Sequence, residues 1–296
     1  MMNRFASALI AEGTWPPERL DADYNARATV GDRFPDEMRA YRETSDEARG
    51  AWLRFADIVY DRKSGQTLDI LGPETGDGLR PVFLFIHGGY WRALSKHDSA
   101  MMSGMLAKAG IMTAVVDYDL APAVTLSEIV RQVRAALAFL WQNAARYGID
   151  RDRIHIGGSS AGGHLAGMLL AGGWHEDFGV PENVIKSALP MSGLFELAPL
   201  AASFPQEWLS LDVRQVDDLS PIRHLPRLGC PIVVAWAEKE APGFKRQSTA
   251  FAEACTDLGY PVRMLEVPDR NHFDILMELR SEKTALSQAL LTMVGG

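Results

Sequence analysis

A five-residue turn, Gly158-Ser159-Ser160-Ala161-Gly162, follows a strand-like run, Arg153-Ile154-His155-Ile156, and leads into a small, apolar, helix-like run from Ala161 to Ala171. A chain that passes this sharply from strand to helix needs glycine on both sides of the turning residue, because a larger side chain would meet the neighbouring backbone. The turn also lifts one serine clear of the sheet. That residue is Ser160, with Gly158 two positions before it and Gly162 two after. Ser159 would have Gly157 and Ala161 and fits only in part. A glycine-rich strand–helix turn can also bind an anion or simply pack closely. Neither G-x-G-x-x-G nor G-x-x-x-x-G-K-[ST] accompanies it, so a nucleotide reading has little support.

Strands and helices alternate along most of the chain. Ala56–Asp61 and Leu68–Leu71 read as a hairpin, and Pro81–Ile86 and Met112–Tyr118 as buried strands with a helix over Ser95–Ala109 between them. Leu126–Ala145 carries apolar residues at helical spacing, among them Ile129, Val133, Leu137 and Leu140. Ile185–Pro190, Pro231–Ala237 and Val262–Val267 supply further strands, and Phe244–Leu258 and Ile275–Leu291 the closing helices. This alternation predicts a mostly parallel central sheet with helices on both faces, in which sites form just beyond the carboxyl ends of strands. At 296 residues the chain suits one such domain, 1–296, with residues 1–52 as an N-terminal extension packed on it and lending a wall to the site. The stretch 194–229 is too short for a large cap domain and predicts a helical flap.

A serine hydroxyl is a weak nucleophile at neutral pH and needs an adjacent base. Of seven histidines, His272 alone sits directly after the last strand and before the last helix. That is the station of the base in an α/β-hydrolase, whose chain order is Ser…acid…His. An acid that orients the imidazole should follow the strand Pro231–Ala237, where Glu238 and Glu240 both qualify; Asp217 and Asp218 precede that strand. Periodicity does not choose between the two glutamates. His87-Gly88-Gly89-Tyr90-Trp91 follows the strand ending at Ile86. Its glycine pair frees backbone N–H groups to converge on one point, and with the N–H of Ala161 would form an oxyanion hole. His87 then braces the loop. Tyr90 and Trp91 would set aromatic surface beside the reacting carbon, with Trp174 and Phe204 adding apolar walls.

These motifs together resemble the kynurenine formamidase (arylformamidase) family of the α/β-hydrolases. The matching pieces are the His87–Trp91 stretch, Val116-Asp117-Tyr118-Asp119-Leu120-Ala121-Pro122, the elbow from Gly157 to His164, and Asn271-His272-Phe273. Asp23-Tyr24-Asn25-Ala26-Arg27 is similar to the family's N-terminal segment, so the likeness spans nearly the whole chain. Relatives carry a stretch of the form A-E-x-D-S-P-E-F-x-x-Q-S with the aspartate as triad acid. The corresponding stretch here runs from Ala237 to Ser248, and the resemblance puts Glu240 in the aspartate's place. Ala241 and Gly243 depart from that pattern, and the likeness places them near the rim of the site, where polar groups would be lost.

The implied activity is a metal-independent, cofactor-free serine hydrolase that cleaves a small aryl amide or ester, foremost an N-formylkynurenine-type formamide. A carboxylesterase or carbamate hydrolase with the same triad is the alternative, and a silent hydrolase fold used for binding a more distant one. Composition narrows the partners. Net charge is −8 with no block of Lys or Arg, which disfavours nucleic acid and anionic membranes. Cys230 and Cys255 stand far apart without a C-x-x-C, which fits a reducing, cytoplasmic setting. A homodimer is left open.

Overall fold

Strands that are apolar on both faces can be buried only between two layers of helices, and that condition sets the architecture. The computed structural model of the protein describes residues 4–74, 76, 78–227 and 229–295. In chain order, α1 (Arg4–Glu12), α2 (Pro17–Tyr24) and α3 (Phe34–Trp52) precede β1 (Leu53–Val59), β2 (Thr67–Leu71) and β3 (Arg80–Ile86). Then follow α4 (Ser103–Lys108), β4 (Met112–Val116), α5 (Leu126–Asn143), β5 (Ile149–Ser159), α6 (Ala161–Leu170) and β6 (Ile185–Met191). Three short helices, α7 (Ala198–Ala201), α8 (Gln206–Leu209) and α9 (Val213–Asp218), lead to β7 (Ile232–Ala237), α10 (Pro242–Asp257), β8 (Val262–Val267) and α11 (Ala285–Gly295). The eight strands form one sheet in the order β1-β2-β4-β3-β5-β6-β7-β8. β2 runs antiparallel to both β1 and β4, and every other pairing is parallel. This is the α/β-hydrolase sheet.

Side chains alternate across each strand and so divide between two cores. Val82, Leu84 and Ile86 of β3 face the layer built by α1, α2, α5, α6 and α10. Phe83 and Phe85 face the layer built by α3, α4 and α11. α6 is buried along its whole length, which its small residues allow: a Cβ at Gly163 would lie 2.9 Å from the Gly193 Cα. α5 shows the contrasting amphipathic pattern, with Thr125 capping its first turn by accepting from the Glu128 N–H at 3.3 Å.

Two expected helices are broken, each for a tertiary reason. Over Ser95–Ala109 only α4 is α-helical, preceded by a 3₁₀ turn at Lys96–Asp98. Lys96 turns inward, fully buried, and its ammonium reaches Asp69 at 2.9 Å and Thr67 at 2.8 Å, with Asp57 completing the cluster. Its N–H donates to Asp117 at 2.7 Å. Arg49 also binds Asp69. Burial opposes ionisation of Asp69, but the hydrogen bonds from Lys96 and Arg49 outweigh it and hold the carboxyl below its usual range. The run Ile275–Leu291 is likewise divided, into a 3₁₀ segment at Asp274–Arg280 and α11. At the break, the Thr284 and Ser287 hydroxyls donate to the Glu278 carbonyl at 2.9 and 3.0 Å, a local alternative to helix continuation.

The buried ion cluster anchors the segment that follows the Gly88-Gly89 loop. Replacing Lys96 by Met would leave Asp69 with Arg49 as its one remaining cationic partner among the described residues. The expected loss of unfolding free energy, read from urea denaturation, is about 3 kcal/mol, at the lower end for breaking a buried pair. An unchanged midpoint would mean the cluster contributes nothing net.

Candidate active site

β5 ends at Ser159, and the chain turns at Ser160 with φ 59° and ψ −119° before entering α6. This is a strained conformation for a residue with a side chain, and the surrounding backbone enforces it. The Ser160 N–H donates to the Met191 carbonyl at 2.9 Å, and its carbonyl accepts from His164 N–H at 3.0 Å. The flanking glycines are obligatory. A Cβ at Gly158 would stand 2.2 Å from the Gly162 oxygen, and one at Gly162 would stand 2.0 Å from the Ile86 oxygen. Ser160 faces a cavity of about 530 Å³ whose lining also includes Gly88, Gly89, Tyr90 and His272.

Glu240 and His272 meet behind that cavity. Glu240 Oε2 lies 2.6 Å from His272 Nδ1, and both side chains are almost wholly buried. A carboxylate can only accept here, so Nδ1 carries the proton and Nε2 is left to receive one. The other oxygen, Oε1, accepts from the Ser192 hydroxyl at 3.1 Å and from the Ala237 N–H at 3.2 Å. The glutamate's extra methylene is thus taken up by a side chain folded back over its own turn. Glu238 turns elsewhere, accepting from the Asp269 N–H at 2.8 Å on the exposed surface. Helix α3 holds the His272 loop from outside. Asn271 Nδ2 donates to Glu37 at 3.0 Å, and the Tyr41 hydroxyl donates to the Phe273 carbonyl at 2.9 Å.

The loop at Gly88 has its carbonyls occupied and its donors free. The Tyr118 hydroxyl, whose ring stacks on His87 at 4.1 Å, serves the carbonyls of His87 and Gly88 at 2.9 and 3.2 Å. The Arg92 N–H serves Gly89, Trp208 Nε1 serves Tyr90 and the Ala121 N–H serves Trp91. The N–H groups of Gly88 and Gly89 have no acceptor among the described residues. The Ala161 N–H belongs to the first turn of α6, where intrahelical acceptors are lacking. A Cβ on Gly88 would be 3.3 Å from the Ser160 Cβ, so these donors lie beside the serine. Such a group can stabilise an oxyanion. His87 Nδ1 donates to the Gly88 carbonyl at 2.9 Å, and burial lowers the pKa of the ring.

The structure brings Tyr90 and Phe204 to the cavity but not Trp91 or Trp174. Tyr90 and Trp91 both have positive φ, 51° and 57°, and this twist carries the Trp91 ring into the core. There its Nε1 donates to His164 Nδ1 at 3.2 Å, while His164 Nε2 donates to the Leu219 carbonyl at 2.8 Å. Burial lowers the His164 pKa to about 4, so the ring is a neutral clip. Trp174 is buried and stacks on His175. Ala241 and Gly243 are also off the rim. Gly243 lies beneath the N-terminal segment, where a Cβ would be 2.6 Å from the Tyr24 ring. The walls that the sequence did not single out are Phe34, Met38 and Tyr41 of α3, together with Trp208, Phe273 and Leu276. A pocket assembled from positions over 200 residues apart leaves no local signal. Among the described residues no group of three or more His, Cys, Asp or Glu is arranged to hold a metal ion.

Glu240→Gln is expected to lower kcat by about 10³–10⁴-fold, since a neutral amide neither fixes the tautomer nor stabilises the imidazolium. Glu238→Gln should leave kcat close to that of the parent. Equal losses, or a larger one at Glu238, would contradict the geometry.

Comparison with known proteins follows the same lines. The BD-FAE family profile matches residues 68–187. The chain is 30% identical to a kynurenine formamidase of Salmo salar over 280 residues, 93% of each protein. It is also 30% identical to a kynurenine formamidase of Danio rerio, over 95% of this chain and 92% of the relative. Among solved structures, a Silicibacter sp. tm1040 protein provisionally described as a thioesterase superposes with a TM-score of 0.78. Its identity is 25%, covering 94% of this chain and 99% of that one.

Proposed function

From the premise that the chain belongs to the kynurenine formamidase family, we propose that it hydrolyses an N-aryl formamide of the N-formylkynurenine type through an acyl-enzyme on Ser160. The observation that carries this reading is the 2.6 Å contact of Glu240 with His272 Nδ1, in a site where Ser160 and His272 line one cavity. His272 Nε2 takes the proton as Ser160 Oγ adds to the formyl carbon. Glu240 steadies the resulting imidazolium. The N–H groups of Gly88, Gly89 and Ala161 hold the oxyanion. On collapse the C–N bond breaks and His272 returns the proton to the departing aryl amine. A water deprotonated by the same ring then attacks the formyl ester, releasing formate and restoring Ser160.

In this reading residues 1–52 belong to the same catalytic domain as the rest of the chain and serve as its outer wall. Neither cysteine is disulfide-bonded, and no described helix is long and apolar enough to cross a membrane; we assign the enzyme to the cytoplasm. A second reading, hydrolysis of simple aryl esters, is favoured by the aromatic and aliphatic walls Phe34, Met38, Phe204 and Trp208.

Steady-state kinetics separate the two. The formamidase reading predicts a kcat/KM for N-formylkynurenine well above that for a short aryl ester, with both falling at least about 10³-fold in Ser160→Ala. Negligible turnover of the formamide beside brisk ester cleavage would leave the esterase reading standing.

A further inference from the structure

We infer that Ser192 is a positioning residue for the triad, the side chain that keeps the longer carboxylate of Glu240 aimed at His272. The inference rests on the hydrolase reading above and adds to it a residue, outside the lining of the cavity, on which the rate depends.

Ser192 is the first residue beyond β6. It is fully buried and has φ 46°, a left-handed conformation that glycine takes freely and serine only at a cost. A side chain kept at such a position needs a reason. Its hydroxyl has one hydrogen-bond partner among the described residues, Glu240 Oε1 at 3.1 Å. The backbone around it is clasped as well. The Ser192 N–H donates to the Ala235 carbonyl of β7 at 2.8 Å, and the Met191 carbonyl accepts the Ser160 N–H at 2.9 Å. Two adjacent residues at the end of β6 therefore hold the nucleophile with one and the acid with the other.

The length of glutamate makes this support necessary. Its carboxylate has one more rotatable bond than that of aspartate, and so more ways to turn its oxygens from the imidazole. Glu240 folds back over its own turn, where the Ala237 N–H donates to Oε1 at 3.2 Å. That bond comes from the same short loop and alone leaves the carboxylate plane free to tilt. The Ser192 hydroxyl reaches the same oxygen from a different strand. Oε1 is thus pinned from two directions, and Oε2 stays 2.6 Å from His272 Nδ1. The hydroxyl must donate here, because an ionised carboxylate only accepts.

The test uses Ser192→Gly in the intact enzyme, a change that suits the backbone and deletes only the hydroxymethyl group. Relief of the left-handed strain offsets the lost bond, so the urea unfolding midpoint should stay near that of the parent. kcat, counted per site titrated by a fluorophosphonate, should fall about 10–100-fold with KM little changed, the range for one hydrogen bond to a charged group. Ser192→Ala, which keeps the strain and loses the hydroxyl, should show the same loss. Ser210→Gly, the same exchange at φ 46° on an exposed turn, should keep the parent's rate. In the Glu240→Gln background, Ser192→Gly should lower kcat almost no further, because it acts through that carboxylate. A readout independent of turnover is the downfield proton resonance of His272 Nδ1–H, which should move upfield in Ser192→Gly as the contact with Oε2 loosens. An unmoved resonance, an unchanged kcat, or a loss that adds in full to that of Glu240→Gln would overturn the inference while leaving the hydrolase intact. If the parent cleaves neither formamide nor ester but the resonance still moves, the hydrolase reading fails and the link from Ser192 to His272 stands.

Discussion

The architecture depends on one close approach. The first turn of α6 lies against the end of β3 so tightly that neither Gly158 nor Gly162 can carry a Cβ, the latter having the Ile86 oxygen 2.0 Å from where it would be. The same approach forces Ser160 to φ 59° and brings the loop at Gly88 to within van der Waals reach of the serine. Strain at the elbow is therefore the local cost of lifting the Ser160 hydroxyl into the cavity beside the Gly88 loop. Close packing makes this placement rigid, because the neighbours of these glycines are backbone atoms of β3, the loop after it and α6 rather than side chains that could give way.

The N-terminal helices enter the same account from the opposite side. Arg246 of α10 binds Glu12 and Asp23, each at 2.7 Å, and the buried Gln247 reaches the Tyr24 hydroxyl at 3.2 Å. The Tyr90 hydroxyl in turn donates to the Tyr24 carbonyl. α3 supplies both a wall of the cavity and the groups that brace Asn271 and Phe273 on either side of His272. Across the pocket, Glu196 accepts from Arg223 at 2.5 and 2.7 Å and fixes the irregular segment that carries Phe204 and Trp208. Ser160 and His272 stand in turns just beyond the carboxyl ends of β5 and β8, while the walls of the pocket are set by segments strapped over the sheet.

How far this was legible depends on whether a feature is local. The elbow, the glycine pair after β3 and a histidine after β8 stand at fixed offsets from apolar strands, and a mostly parallel sheet follows from the alternation of strands with helices. Glu240 and Glu238 are not separable by spacing, since a tight turn decides which carboxylate faces inward. Trp91 misleads for a similar reason: positive φ at two successive residues reverses the side from which its ring departs. The two helices that break do so because Lys96 is drawn to buried carboxylates and because Thr284 and Ser287 compete for a helix carbonyl, neither of which periodicity reveals. The placing of Gly243 under Tyr24 is a contact between distant segments and has no trace in the sequence near either.

The central claim is that Ser160, activated by His272, is the nucleophile. Its most direct measurement is labelling by a fluorophosphonate, with the modified peptide located by mass spectrometry. A single adduct on Ser160, formed rapidly in the parent and at least about 10³-fold more slowly in His272→Ala, is the predicted result. An adduct on Ser159 or any other residue, or labelling of Ser160 at the same rate without the histidine, would contradict it.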